Sequence, residues 1–144
     1  MSANDKPFPT LRDLASEIGQ VQIYWSFLES EMRRELKAVV DQERIARGPI
    51  ISHWRTYLKS LVGGSNHSVI IDHLEALEKI AIIRNLLAHG IRSANADPWM
   101  GGSAHVVCTG PDGVKHQFTI EMIRELSEEI DRVRRSIRET TFLA

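Results

Sequence analysis

An arginine, an asparagine and a histidine stand at positions 84, 85 and 89, within the run Arg84-Asn85-Leu86-Leu87-Ala88-His89-Gly90. Histidine titrates near neutrality and can take or give a proton. Arginine stays cationic and presents a planar fork to phosphate oxygens. Asparagine can hydrogen-bond a phosphate or orient the imidazole. These are the groups that cleavage of RNA by its own 2′-hydroxyl requires: a base for the ribose proton, and charge stabilisation at the phosphate. Such a set needs no metal. At about 100° per residue, Asn85 and His89 share one helical stripe, and Arg84 lies within about 40° of Leu77, Ile80 and Ala88, inside the apolar arc. An arginine there is costly unless paired. Glu29, about 40° from Trp25 in the apolar stripe of the first helix, is the expected partner, holding Arg84 from behind. Glu17, Glu31 and Glu35 lie further off that stripe.

Other residues can touch a nucleic acid. Arg92 follows the motif closely. Arg132 and Arg135 belong to the most basic stretch, Arg132 to Arg138, although interleaved acids make a solvated face the default. Trp99 can stack on a base, or plug an apolar edge. Arg92, Trp99, Arg132 and Arg135 are therefore the candidate RNA contacts. His105, Cys108 and His116 raise the question of zinc. With an even hairpin loop, His105 and His116 share a face with Val107 and Phe118, while Cys108 faces the other way. With one cysteine and no recognised ligand spacing, neither a metal site nor a cofactor is expected.

Elements that can position these groups follow from hydropathy. Leu14, Ile18, Val21, Trp25, Leu28, Met32, Leu36 and Val39 step by three and four, which predicts a helix from Thr10, its N-cap, to about Ala46. Gly48-Pro49 ends it. A second helix covers residues 49–62, with Ile51, Trp54, Leu58 and Leu61 as its stripe, and Gly63-Gly64-Ser65-Asn66 breaks the chain. A third runs from Ser68 to Gly90, with Ile70, Leu74, Leu77, Ala81, Arg84 and Ala88 on one stripe and Gly90 at the left-handed C′ position. Residues 91–103 read as a loop. Short strands at 104–109 and 114–119 flank the turn Gly110-Pro111-Asp112-Gly113. Thr119 caps a last helix carrying Ile123, Leu126, Ile130, Val133 and Ile137. The expected fold is all-α: an up-and-down bundle of four to five helices with a small hairpin before the last one.

The 144 residues suffice for one domain with a real core, here residues 10–144 after a flexible tail at 1–9. The net charge of −1 excludes a strongly basic nucleic-acid coat, so RNA contact must come from a local patch. The single cysteine fits a reducing cytosol, no apolar run approaches the roughly 20 residues needed to span a membrane, and the polar, proline-punctuated stretch Met1 to Pro9 reads as carrying no signal-peptide core. The expected location is cytoplasmic.

The segment 84–90, in the last turns of an apolar helix, resembles the arginine-x4-histidine signature of the HEPN superfamily, all-helical domains found in many prokaryotic RNases and toxins. The resemblance is close over residues 84–90 and loose over the helical framework. It implies a metal-independent endoribonuclease, a toxin or defence effector, with Arg84, Asn85 and His89 in the active site. It also implies a homodimer in which two motifs face one cleft, and an antitoxin or nucleotidyltransferase as partner. The same resemblance admits a non-catalytic module binding nucleotide, RNA or a partner protein, or a purely structural dimerisation module.

Overall fold

The structure, a computed structural model, describes residues 8–38, 49–61, 67–97, 99 and 103–139. Among the described residues the elements are α1 (Leu11–Lys37), α2 (Ile50–Ser60), α3 (His67–His89), β1 (Ile91–Asn95), β2 (His105–Thr109), β3 (Lys115–Thr119) and α4 (Ile120–Glu139). The fold is therefore mixed: helices plus a three-stranded antiparallel sheet in the order β1-β2-β3. The all-helical bundle with a lone hairpin is overturned. The loop expected at 91–103 begins with a strand, and the hairpin supplies two of the sheet's three strands. The expected extension of α1 past Ala38, the break at 63–66 and most of the tail at 1–9 fall outside the described residues.

The contacts divide the chain into two compact units, one of residues 1–23 and 82–128, the other of residues 24–81 and 129–144. In the first unit, α1 opens on a reciprocal cap. The Asp13 amide donates to Thr10 Oγ1 (3.1 Å), and the Thr10 amide donates to Asp13 Oδ2 (2.8 Å). This satisfies two amides that a helix start leaves open. Leu14 and Val21 are buried on the inner face. Thr119 caps α4 as expected, accepting from the Met122 amide at 3.2 Å. Ile120, Ile123 and Leu126 bury the first turns of that helix. Val106, Cys108 and Phe118 give the sheet one covered face.

The register of the sheet decides which side chains share that face. On β2 and β3, Val106 pairs with Phe118 and Cys108 with His116. The turn is closed by the Gly113 amide on the Gly110 carbonyl (2.9 Å) and the Gly110 amide on the Val114 carbonyl (3.1 Å), with Gly113 at φ 79°. That is a three-residue loop, the pattern of a type I turn followed by a left-handed glycine. Its odd length puts His116 on the face of Cys108 and Phe118 and leaves His105 on the other side, because a one-residue change of register flips every side chain. The even-loop pairing of His105 with His116 is thereby corrected. On β1, Ile91 pairs with Cys108 and Ser93 with Val107, so Arg92 is the extra residue of a bulge.

In the second unit, Trp25, Leu28, Met32 and Leu36 of α1 are buried, with Ile50, Trp54 and Leu58 of α2, Ile70, Leu74, Leu77 and Ile80 of α3, and Ile130, Val133 and Ile137 of α4. The steps of three and four are those the hydropathy indicates, with Ile50 replacing Ile51 on α2. Each such side chain contributes about 1.5–3 kcal/mol when fully buried. Two polar groups join this core. His73 Nε2 accepts from Trp54 Nε1 at 3.1 Å. Glu31, 6% exposed, accepts from Arg34 and from Arg138 of α4. Burial works to raise the Glu31 carboxyl, but the two guanidiniums outweigh it and hold it below the ordinary carboxylate range.

Candidate functional site

The last turn of α3 lies against the sheet. The Gly90 amide donates to the Leu86 carbonyl (2.8 Å), and the Thr109 amide donates to the Gly90 carbonyl (2.9 Å). Gly90 has no positive φ, contrary to the left-handed cap expected. Its glycine is required by space: a Cβ would stand 2.8 Å from the Thr109 carbonyl oxygen and 3.0 Å from that of Leu86. The apolar stripe turns accordingly. After Ile80, burial moves to Leu86 and Leu87, while Ala88 is exposed and Arg84 half-exposed.

This junction leaves a cleft of about 750 Å³. From α3 it is lined by Ile82, Asn85, Leu86 and His89; from β1 by Arg92; from β2 and the turn by Thr109, Gly110, Pro111 and Asp112; and from β3 by His116. The cleft belongs wholly to the first unit. Asn85, His89, Arg92 and His116 are all exposed, so their polar atoms are open to a ligand. Arg92 forms no ion pair among the described residues, and its bulge position directs a single residue of an edge strand. Asp112 is held in the turn, where its Oδ1 accepts from the Val114 amide at 3.0 Å. The His116 ring stacks on Phe118, with centroids 6.3 Å apart and planes 11° apart. Phe118 itself is buried, and His116 beside it is exposed.

Arg84 does not line the cleft. Its Nε donates to Gln22 Oε1 (3.0 Å) and its Nη1 donates to Asn85 Oδ1 (3.2 Å). Neither Arg84 nor Glu29, its expected partner, is buried, and the two residues fall in different units. The buried carboxylate of α1 is Glu31, two residues on. The consequence falls on Asn85. A guanidinium takes the amide oxygen, which leaves the Asn85 NH₂ donors for the cleft.

The remaining candidates lie elsewhere. Trp99 is 92% exposed and does not line the cleft. Arg132 is bonded to Glu129, and Arg135 lies 3.3 Å from Asp131. Both belong to the second unit, and carboxylates already hold their charge. Among the described residues no group of three His, Cys, Asp or Glu is arranged to hold a metal ion. Cys108 is buried, and burial pushes its thiol upward, away from a reactive thiolate. No described helix is long and apolar enough to cross a membrane.

His116 is the cleft residue that hydropathy and spacing did not bring to the motif. Its signal was the parity of the Gly-Pro-Asp-Gly turn, which decides the face on which residue 116 falls. Comparison with family models, curated proteins and solved structures finds no match to this chain.

Proposed function

We propose that this chain is a metal-independent endoribonuclease and that the cleft at the end of α3 holds one phosphodiester of RNA. His89 takes the proton of the ribose 2′-hydroxyl. Arg92 balances the charge that builds on the phosphate, and Asn85 donates to a phosphate oxygen from the orientation Arg84 gives it. The observation that carries this reading is that a histidine, an arginine and an amide donor line one cleft of one unit. The resemblance of residues 84–90 to the HEPN signature supports the same chemistry, with the cation at the phosphate moved from Arg84 to Arg92. A homodimer belongs to the proposal as well. Ile82, 63% exposed at the cleft, is a large apolar side chain that a two-fold contact would cover.

The test is incubation of the purified protein with mixed RNA in the presence of a chelator, followed by analysis of the new ends. Fragments ending in 2′,3′-cyclic phosphate, absent with His89→Ala, are expected. Wild-type protein that cleaves no RNA, yet binds RNA through the same residues, would make the cleft a binding site without chemistry. Sedimentation tests the dimer, and a monomer at micromolar concentration would remove it.

A further inference from the structure

We propose that His116 is the general acid of this cleft, so that one chain supplies both proton-transfer groups. The inference rests on the ribonuclease reading above. Attack by the 2′-oxygen on phosphorus forms a P–O2′ bond and breaks the P–O5′ bond. One proton must leave the 2′-hydroxyl, and one must arrive at the departing 5′-oxygen. A neutral His89 removes the first, and a protonated His116 supplies the second. The products are a 2′,3′-cyclic phosphate and a 5′-hydroxyl, with the two imidazoles left in exchanged protonation states. Proton balance is then met by the chain itself and needs no further reactant.

The geometry points to His116 in three ways. It lines the same cleft as His89 while coming from a different element, β3 rather than α3. Two proton-transfer groups carried by different elements can approach one phosphorus from different directions, and in-line displacement places the entering and leaving oxygens on opposite sides of it. It is exposed, and its ring runs parallel to that of the buried Phe118 at 6.3 Å between centroids, a contact through ring faces rather than ring nitrogens. And the cleft already holds a cation in Arg92 and an amide in Asn85, so the leaving-group acid is the one role those residues leave open.

The experiment compares two RNA oligonucleotides, one ordinary and one with sulfur in place of the bridging 5′-oxygen at a single linkage. A thiolate leaves without protonation, so the second substrate does not need the acid. His116→Ala should cleave the ordinary linkage about 10²–10⁴-fold more slowly than wild type, and the sulfur linkage at close to the wild-type rate. His89→Ala should be slow on both. His116→Gln, which keeps a polar side chain on the exposed strand, should behave as His116→Ala and guards against a folding defect. His116→Ala that matches wild type on ordinary RNA, or that is equally slow on both linkages, overturns the acid role while leaving the ribonuclease reading standing. Wild-type protein that cleaves neither substrate overturns both.

Discussion

Gly90 and Thr109 are joined so closely that residue 90 has no room for a side chain: a Cβ there would meet the Thr109 carbonyl oxygen at 2.8 Å. The neighbour is backbone of β2, which cannot swing aside as a flexible side chain can. Gly90→Ala should therefore destabilise the protein by about 1–3 kcal/mol and weaken the cleft that the junction frames. Gly19 supplies the contrast, lying inside α1 with nothing within 4 Å of its would-be Cβ. Gly19→Ala should stabilise by about 0.5–1 kcal/mol. Urea denaturation of both variants tests the pair. Equal effects would mean that the approach of α3 to β2 is looser than described.

Arg84 should act through Asn85. If the guanidinium sets the orientation of the amide, Arg84→Met and Asn85→Ala should each slow RNA cleavage, and the double variant should be little worse than the more severe single one. Rates that multiply would assign Arg84 a separate role, including direct contact with phosphate. Arg84→Lys should fail to rescue, because an ammonium lacks the fork that reaches Gln22 and Asn85 together.

His73 gives the stability a pH dependence of known sign. Burial first, and the Arg132 charge second, push its pKa from 6.5 down to about 4. Between those values the unfolded chain binds a proton that the folded chain refuses. Stability is thus fully present above about pH 6.5 and declines as the pH falls toward 4, by roughly 3 kcal/mol in all. Protonation also removes the acceptor that Trp54 uses. Urea midpoints at about pH 7 and about pH 5 should differ in wild type and converge in His73→Leu. The same difference in both proteins would locate the titration elsewhere.

The two acids of α1 should separate cleanly. Glu31→Ala leaves Arg34 and Arg138 without their shared carboxylate. Both guanidiniums are well exposed, so the loss should be about 1–3 kcal/mol rather than that of a fully buried pair. Glu29→Ala should fall within about 0.5 kcal/mol of wild type, as surface changes do. Thermal melts decide it, and a large loss in Glu29→Ala would restore the ion pair first expected for Arg84.

Helix stripes were legible because burial follows the steps of three and four through Leu28, Leu58, Leu77 and Ile130. The caps Thr10 and Thr119 were legible for the same local reason. What escaped was set by partners distant in sequence. β1 carries Ile91, Arg92, Ser93, Ala94 and Asn95, exposed save for Asn95 at its end, and pairs through backbone that leaves no hydropathy pattern. Without that strand, hydropathy carries the stripe of α3 on to Arg84 and Ala88, whereas the helix end turns Leu86 and Leu87 inward. Angles within one helix placed Glu29 inside the apolar stripe, but Arg138 of α4 settles that Glu31 is the clamped acid. Asn85 and His89 were placed together by their spacing, and they line one cleft. Arg92 entered it through a bulge and His116 through the odd length of a turn, both properties of register rather than of composition.

The most direct test of the ribonuclease reading is the chemistry of the ends made by wild type and by His89→Ala, with chelator present throughout. Wild-type protein should produce 2′,3′-cyclic phosphate and 5′-hydroxyl ends, and His89→Ala should make them about 10²–10⁴-fold more slowly while melting at the wild-type temperature. Cleavage by His89→Ala at the wild-type rate, or wild-type fragments ending in 3′-hydroxyl and 5′-phosphate, would contradict it.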